Sequence, residues 1–177
     1  MTARIALSIE QRLARLEAEG AIRFCIARYM ALCDTLGPDT PMEELGALFT
    51  RDAVWAGKGA RYVASCGGHG GRDAIVAMLG SYRGPPPHFA MNAHYLSSET
   101  ITLIDDVSAR GGWMMLQCST YADGRSDLRS ARLDVHFALE EGAWRIARFE
   151  TENLFSRPIS RGDDPAPIPV PTHSRGD

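Results

Sequence analysis

The first third of the chain repeats its apolar residues at helical steps. Between Ile9 and Leu36, the residues Leu13, Leu16, Ile22, Ile26, Tyr29, Met30 and Cys33 recur mostly three and four apart, which gathers them on one stripe of an α-helix. Gly20 is a point at which that helix could kink or divide, and Gly37-Pro38 ends it. Thr40 to Phe49 predicts a second, short helix, with Thr40 as cap, Pro41 in the first turn, Glu43 completing a capping box, and Leu45, Leu48 and Phe49 as its apolar side. Ala53 to Ala56 predicts a short strand, Cys66 to Gly71 (CGGHGG) a loop, and Asp73 to Tyr82 a third helix capped by Asp73. After Pro85 to Pro87 the period changes to two. Strands are expected from His88 to about Ile104, Gly112 to Tyr121, Ser130 to Leu139 and Trp144 to Leu154, turning at Asp105-Asp106 and Glu141-Gly142.

Helices followed by antiparallel strands predict an α+β fold. The expected architecture is a cone-shaped barrel: a strongly curved, mostly antiparallel sheet packed on N-terminal helices, its interior a natural pocket. Residues 1–158 make one domain, and 159–177, rich in proline and without apolar period, form an extended tail.

Composition narrows the function. A chain of 177 residues with 45% hydrophobic residues supports one globular core. The net charge is -3, Lys58 is the only lysine, and the arginines are offset by acids, so a nucleic-acid partner is not expected. No run approaches the roughly 20 apolar residues of a membrane span, and the N-terminus lacks an apolar signal core, so a cytoplasmic protein with no membrane partner is expected. Cys25, Cys33, Cys66 and Cys118 form no CxxC pair and read as small buried residues. There is no HExxH or HxH for a metal, no GK[ST] after the glycines for a phosphate, and no GxSxG elbow.

Several polar residues fall where the pattern calls for apolar ones. Ile26, Met30 and Asp34 form one i, i+4, i+8 row of the first helix, so a carboxylate follows two core residues. A buried carboxylate needs a partner. In the stretch PPPHFAMNAHY, His88, Asn92 and His94 share one strand face. His88 is the expected partner of Asp34, and the pair is the expected general base; His94 is expected toward the sheet rim. Tyr29 could project its hydroxyl into the pocket, and Gln117 lies on the face of Trp113, Met115 and Ser119. Asn92, Gln117, Trp55, Phe89, Met115 and Phe155 are the expected substrate-binding residues. Asp134 and His136 alternate with Leu133, Val135 and Phe137 and belong to a solvated face.

These segments together resemble a known family. A leading helix with Y-x4-D, then LFTRDAVW, GRDAI opening a helix, H-x3-N opening a strand and EEGAWRIARFE closing the sheet is similar to the SnoaL-like branch of the nuclear transport factor 2-like superfamily, over roughly Ile9 to Pro158. The lyases of that branch, such as scytalone dehydratase, bile-acid 7-alpha-dehydratase and hexachlorocyclohexane dehydrochlorinase, work without a cofactor. The resemblance implies a dehydratase-like lyase acting on a small apolar, aromatic or alicyclic compound, in a homodimer or homotrimer, with Asp34 and His88 as base and Tyr29 beside them. An isomerase or polyketide-type cyclase using the same base, or a non-catalytic binding or dioxygenase beta-like subunit, is the alternative. The chain departs from these relatives in having Gln117 where an acid follows the strand tryptophan, in lacking a second pocket histidine in that strand, and in having Leu139 near the place of an arginine.

Overall fold

The structure is a computed structural model that describes residues 7–60, 62 and 67–159. Of the tail expected over 159–177, residue 159 ends the last strand, and 160–177 lie outside the described residues, as does Cys66. Helix α1 runs without a break over Ile9–Asp34, and Gly20 does not divide it into two elements. Ser8 starts it: its Oγ accepts from the Gln11 amide at 3.2 Å and the Gln11 side chain accepts from the Ser8 amide at 2.9 Å. Only the second half is buried, from Ile22 to Cys33, while Leu13 and Leu16 are exposed. Helix α2 is Met42–Ala47, shorter than expected, because Thr40 turns its hydroxyl back to Thr35 and Gly37 instead of capping forward. Helix α3 is Arg72–Gly80, preceded by Gly71 at φ 89°, so Asp73 sits inside the first turn and is not the cap.

The strands are β1 Phe49–Lys58, β2 Gly68–Gly70, β3 Phe89–Leu103, β4 Ser108–Tyr121, β5 Ser126–Glu140 and β6 Ala143–Ile159. Gly68–Gly70, expected within a loop, pairs antiparallel with β1. The β5–β6 hairpin closes with Glu141 and Gly142 both at positive φ, 53° and 77°, as a two-residue turn matched to strand twist requires.

The sheet order is β2-β1-β6-β5-β4-β3, with β1 parallel to β6 and the other pairs antiparallel. The α+β class stands, but the expected barrel does not form. No ladder joins β2 to β3, so the sheet is open, with two edges, rather than a closed or strongly curved cone. Hydrophobic alternation reveals which residues face inward but says nothing about whether the first and last strands meet. Here the first-edge strand is a three-residue glycine-rich segment. Helix α1 packs on β3 and β6, and α3 on β1 and β2. The core between helices and sheet is built on Ile22, Leu45, Phe49, Ile75, Leu133, Val135, Phe137 and Ile146.

Candidate active site

The C-terminal end of α1 lies along the free edge of β3, and this contact builds the site. An edge strand leaves alternate amides unpaired. The His94 amide donates to Asp34 Oδ1 at 3.0 Å, and the same oxygen lies 2.6 Å from His94 Nδ1. Next to it, Asn92 Nδ2 donates to the Cys33 carbonyl at 3.2 Å, satisfying a helix-end acceptor. The Asn92 Oδ1 accepts from Gln117 Nε2 at 2.9 Å and Ser119 Oγ at 2.8 Å. A buried network therefore fixes where α1 ends and holds Asp34 against His94.

A carboxylate can only accept hydrogen bonds, so neutral His94 carries its proton on Nδ1 and leaves Nε2 as the basic nitrogen. The His94 side chain is 11% exposed and that of Asp34 28%. His94 lines a cavity of about 420 Å³ roofed by α1 and α3 and floored by β3, β4, β5 and β6.

This pairing corrects the expectation that Asp34 meets His88. The ladder shifts register between Phe89 and Met91, where two residues of β3 span one step of β4. Counting by twos from His88 across that bulge gives the wrong face, and Phe89, opposite Tyr121, is the inward residue there. His88 sits at the exposed rim of the cavity, its ring edge-on to Tyr82, Phe89 and Tyr121 at 5.0, 4.6 and 5.3 Å. His94, expected at the rim, is the inner histidine.

Of the other expected residues, Tyr29, Trp55, Phe89, Asn92, Met115 and Gln117 all line the cavity. Phe155 does not. A second register shift, between Ser130 and Ala131 of β5, turns Phe155 to the opposite face, where the Arg157 guanidinium lies 5.2 Å from its ring. Tyr29 is wholly enclosed: Phe49 and Phe149 lie edge-on to it at 5.4 and 5.1 Å, and its hydroxyl accepts from Trp55 Nε1 at 3.1 Å. Burial, together with the nearby Cys33 thiol, pushes the Tyr29 phenol well above its ordinary value, so it stays protonated.

The sequence reading missed a charged group in the same cavity. Tyr121 donates to Asp127 Oδ2 at 2.9 Å, Arg129 Nη2 donates to the same oxygen at 2.8 Å, and Arg129 Nη2 also meets the Tyr121 hydroxyl. Burial pushes the Tyr121 phenol up to about 12; the hydrogen bond to Asp127 adds to this while Arg129 opposes it. The signal was in the alternation: Asp127, Arg129 and Ala131 continue the inward face of Leu133, and Arg129 stands directly opposite Gln117.

Among the described residues, no three His, Cys, Asp or Glu side chains are grouped to hold a metal ion, and no helix is long and apolar enough to cross a membrane.

Known structures share this architecture. The chain is similar to a candidate scytalone dehydratase from Novosphingobium aromaticivorans DSM 12444, at 21% identity and a TM-score of 0.68, over 81% of this chain and 89% of that one. It is similar to a type 2 hexachlorocyclohexane dehydrochlorinase at 15% identity and a TM-score of 0.72, over 85% and 94% of the two chains. A type 3 dehydrochlorinase from Novosphingobium barchaimii LL02 gives 15% identity and a TM-score of 0.70, over 85% and 95%. At such identities the likeness speaks for the fold. No curated protein matches the sequence significantly. Residues 14–150 match the SnoaL-like domain, and the chain belongs to that family.

Proposed function

We propose that the chain is a lyase of the dehydratase kind, eliminating a small leaving group from a largely apolar aromatic or alicyclic compound, with His94 as general base and Asp34 as the residue that orients it. The observation that carries this reading is the 2.6 Å contact between Asp34 Oδ1 and His94 Nδ1 at the wall of a cavity rich in aromatic side chains. His94 Nε2 takes a proton from a carbon of the substrate. The C–H electron pair becomes the new double bond, or is held for a moment on a neighbouring carbonyl, and the leaving group departs from the adjacent carbon with its bonding pair, either as halide or as a hydroxyl that takes the proton back from the His94 imidazolium and leaves as water. The imidazolium formed is held by the Asp34 carboxylate, so charge created in the step meets a fixed opposite charge.

The remaining residues supply positioning. Gln117, held through Asn92, and Tyr29, whose hydroxyl is protonated, both line the cavity. Trp55 stacks on Phe149 at 5.8 Å and the two form a flat apolar surface for a ring. The family and the dehydratase and dehydrochlorinase likenesses support the reaction class; they leave the compound open.

The test is elimination from two probes taken from the names of similar proteins, scytalone and hexachlorocyclohexane, followed as loss of water and release of chloride, together with a set of β-hydroxy ketones run in deuterated water. Activity in the wild type that falls by about 10²–10⁴-fold in Asp34→Asn supports the reading. Deuterium entering a recovered or isomerised compound without elimination would assign the same base to an isomerase or cyclase instead. A folded Asp34→Asn variant with wild-type rates would remove the pair from the mechanism.

A further inference from the structure

Thr151 is an anomaly within this cavity. It is 5% exposed, it lines the cavity, and its Oγ1 is a buried polar atom with no hydrogen-bond partner. It lies on β6 between Gly57 of β1 and Leu133 of β5. Neither neighbour has a side chain able to bond it. Gly57 is held to glycine because a Cβ there would come 2.7 Å from the Tyr62 Cβ, so Tyr62 closes the wall on that side. A buried hydroxyl left without a partner costs on the order of 1–3 kcal/mol, and Val would fill the same shape without that cost. The other inward positions near it, Phe149 and Leu133, are apolar.

We infer that Thr151 Oγ1 is a ligand contact: it hydrogen-bonds an oxygen of the bound compound, at the end of the cavity away from His94. His94 is on the edge strand β3 and Thr151 three strands away on β6, and the register sets Thr151 level with Trp113, four residues along β4 from the Gln117 that stands opposite His94. The two are therefore separated both across the sheet and along it. A compound bound between them carries a hydroxyl or carbonyl at the end remote from the reacting carbon. That makes the ligand class an oxygenated ring compound, and sets hydrocarbons apart as poor ligands. The inference rests on the proposed function only in taking this cavity as the substrate site; it does not need His94 to be a base.

The test therefore measures binding and stability, not turnover. The probes are 1-tetralone, 1-tetralol and tetralin, which share a ring system and differ in oxygen, titrated against Trp fluorescence in the wild type, Thr151→Val and Thr151→Ser. The expected result is that the wild type binds at least one oxygenated probe several-fold more tightly than tetralin, that Thr151→Val loses this preference and that Thr151→Ser keeps it. The free Thr151→Val protein should also melt at or above the wild-type temperature, because it loses only an unsatisfied group. The inference is overturned if Thr151→Val keeps the wild-type preference, if no oxygenated probe is preferred over tetralin, or if the free variant melts clearly below the wild type. Failure of the lyase reading alone would appear differently, as intact oxygen preference in a protein whose Asp34→Asn variant has unchanged chemistry.

Discussion

Replacing Asn92 by Ala tests the network that holds the end of α1 against β3. The side chain makes three hydrogen bonds, to the Cys33 carbonyl, Gln117 Nε2 and Ser119 Oγ, and it is 8% exposed. Ser119 is 1% exposed and Gln117 7%, so neither gains full access to solvent when its partner goes. A typical hydrogen bond contributes about 1 kcal/mol net, and a buried group left orphaned costs about 1–3 kcal/mol. Gln117 can reach into the cavity for water and the Ser119 hydroxyl can rotate, which limits the loss to about 3–5 kcal/mol. That is a large part of the roughly 5–15 kcal/mol that holds a domain folded. The assay is equilibrium unfolding in urea followed by Trp fluorescence and circular dichroism, fitted with a common slope. Asn92→Asp keeps the acceptor for Gln117 and Ser119 but loses the donor to Cys33, so it should retain part of the stability at neutral pH. A loss below about 1 kcal/mol in Asn92→Ala would show that these bonds are not made in solution, and with them would go the account of how Asp34 is placed.

Two further predictions concern protonation. Burial pushes both the Cys25 and Cys33 thiols up to about 12, so at pH 8 neither should react with a thiol reagent until the protein unfolds, as peptide mass mapping before and after urea would show. Asp134 is held below its ordinary 3.8 by its bond from Arg110, and Glu150 below its ordinary 4.5 because bonds from Lys58 and Arg148 outweigh the upward push of burial. Depressed carboxylates contribute stability that is complete above the ordinary values and lost as pH falls through the lowered ones. The melting temperature should therefore decline as pH drops from 4.5 through 3.8 and below, and Arg110→Gln should flatten part of that decline.

Much of this was legible in the sequence because side-chain period reports which face a residue takes. The α+β class, the long first helix, the four long strands and the place of Tyr29, Trp55, Asn92, Met115 and Gln117 in the cavity wall follow from it. What could not be read were the places where the period breaks, two of which decide the site. A bulge costs one residue and exchanges the faces beyond it. One bulge moved His88 out of the inward row and gave Asp34 to His94, and another took Phe155 to the outer face. Closure of the sheet was illegible for a different reason: it depends on a ladder between the first and last strands, and β2 and β3 share none. The helix starts also misled where a hydroxyl had a nearer acceptor, as Thr40 does in the Thr35 carbonyl.

His94, and not His88, is the proposed base. The measurement is turnover of one active probe by His94→Gln and His88→Gln side by side, each first shown to be folded. His94 is bonded to Asp34 within the cavity, and His88 is at its exposed rim among aromatic rings. The account predicts that His94→Gln loses about 10²–10⁴-fold in kcat, the usual cost of removing a general base. It predicts that His88→Gln stays within about tenfold of the wild type, with any change falling mainly in KM. The reverse order, with His88→Gln inactive and His94→Gln near wild type, would contradict it.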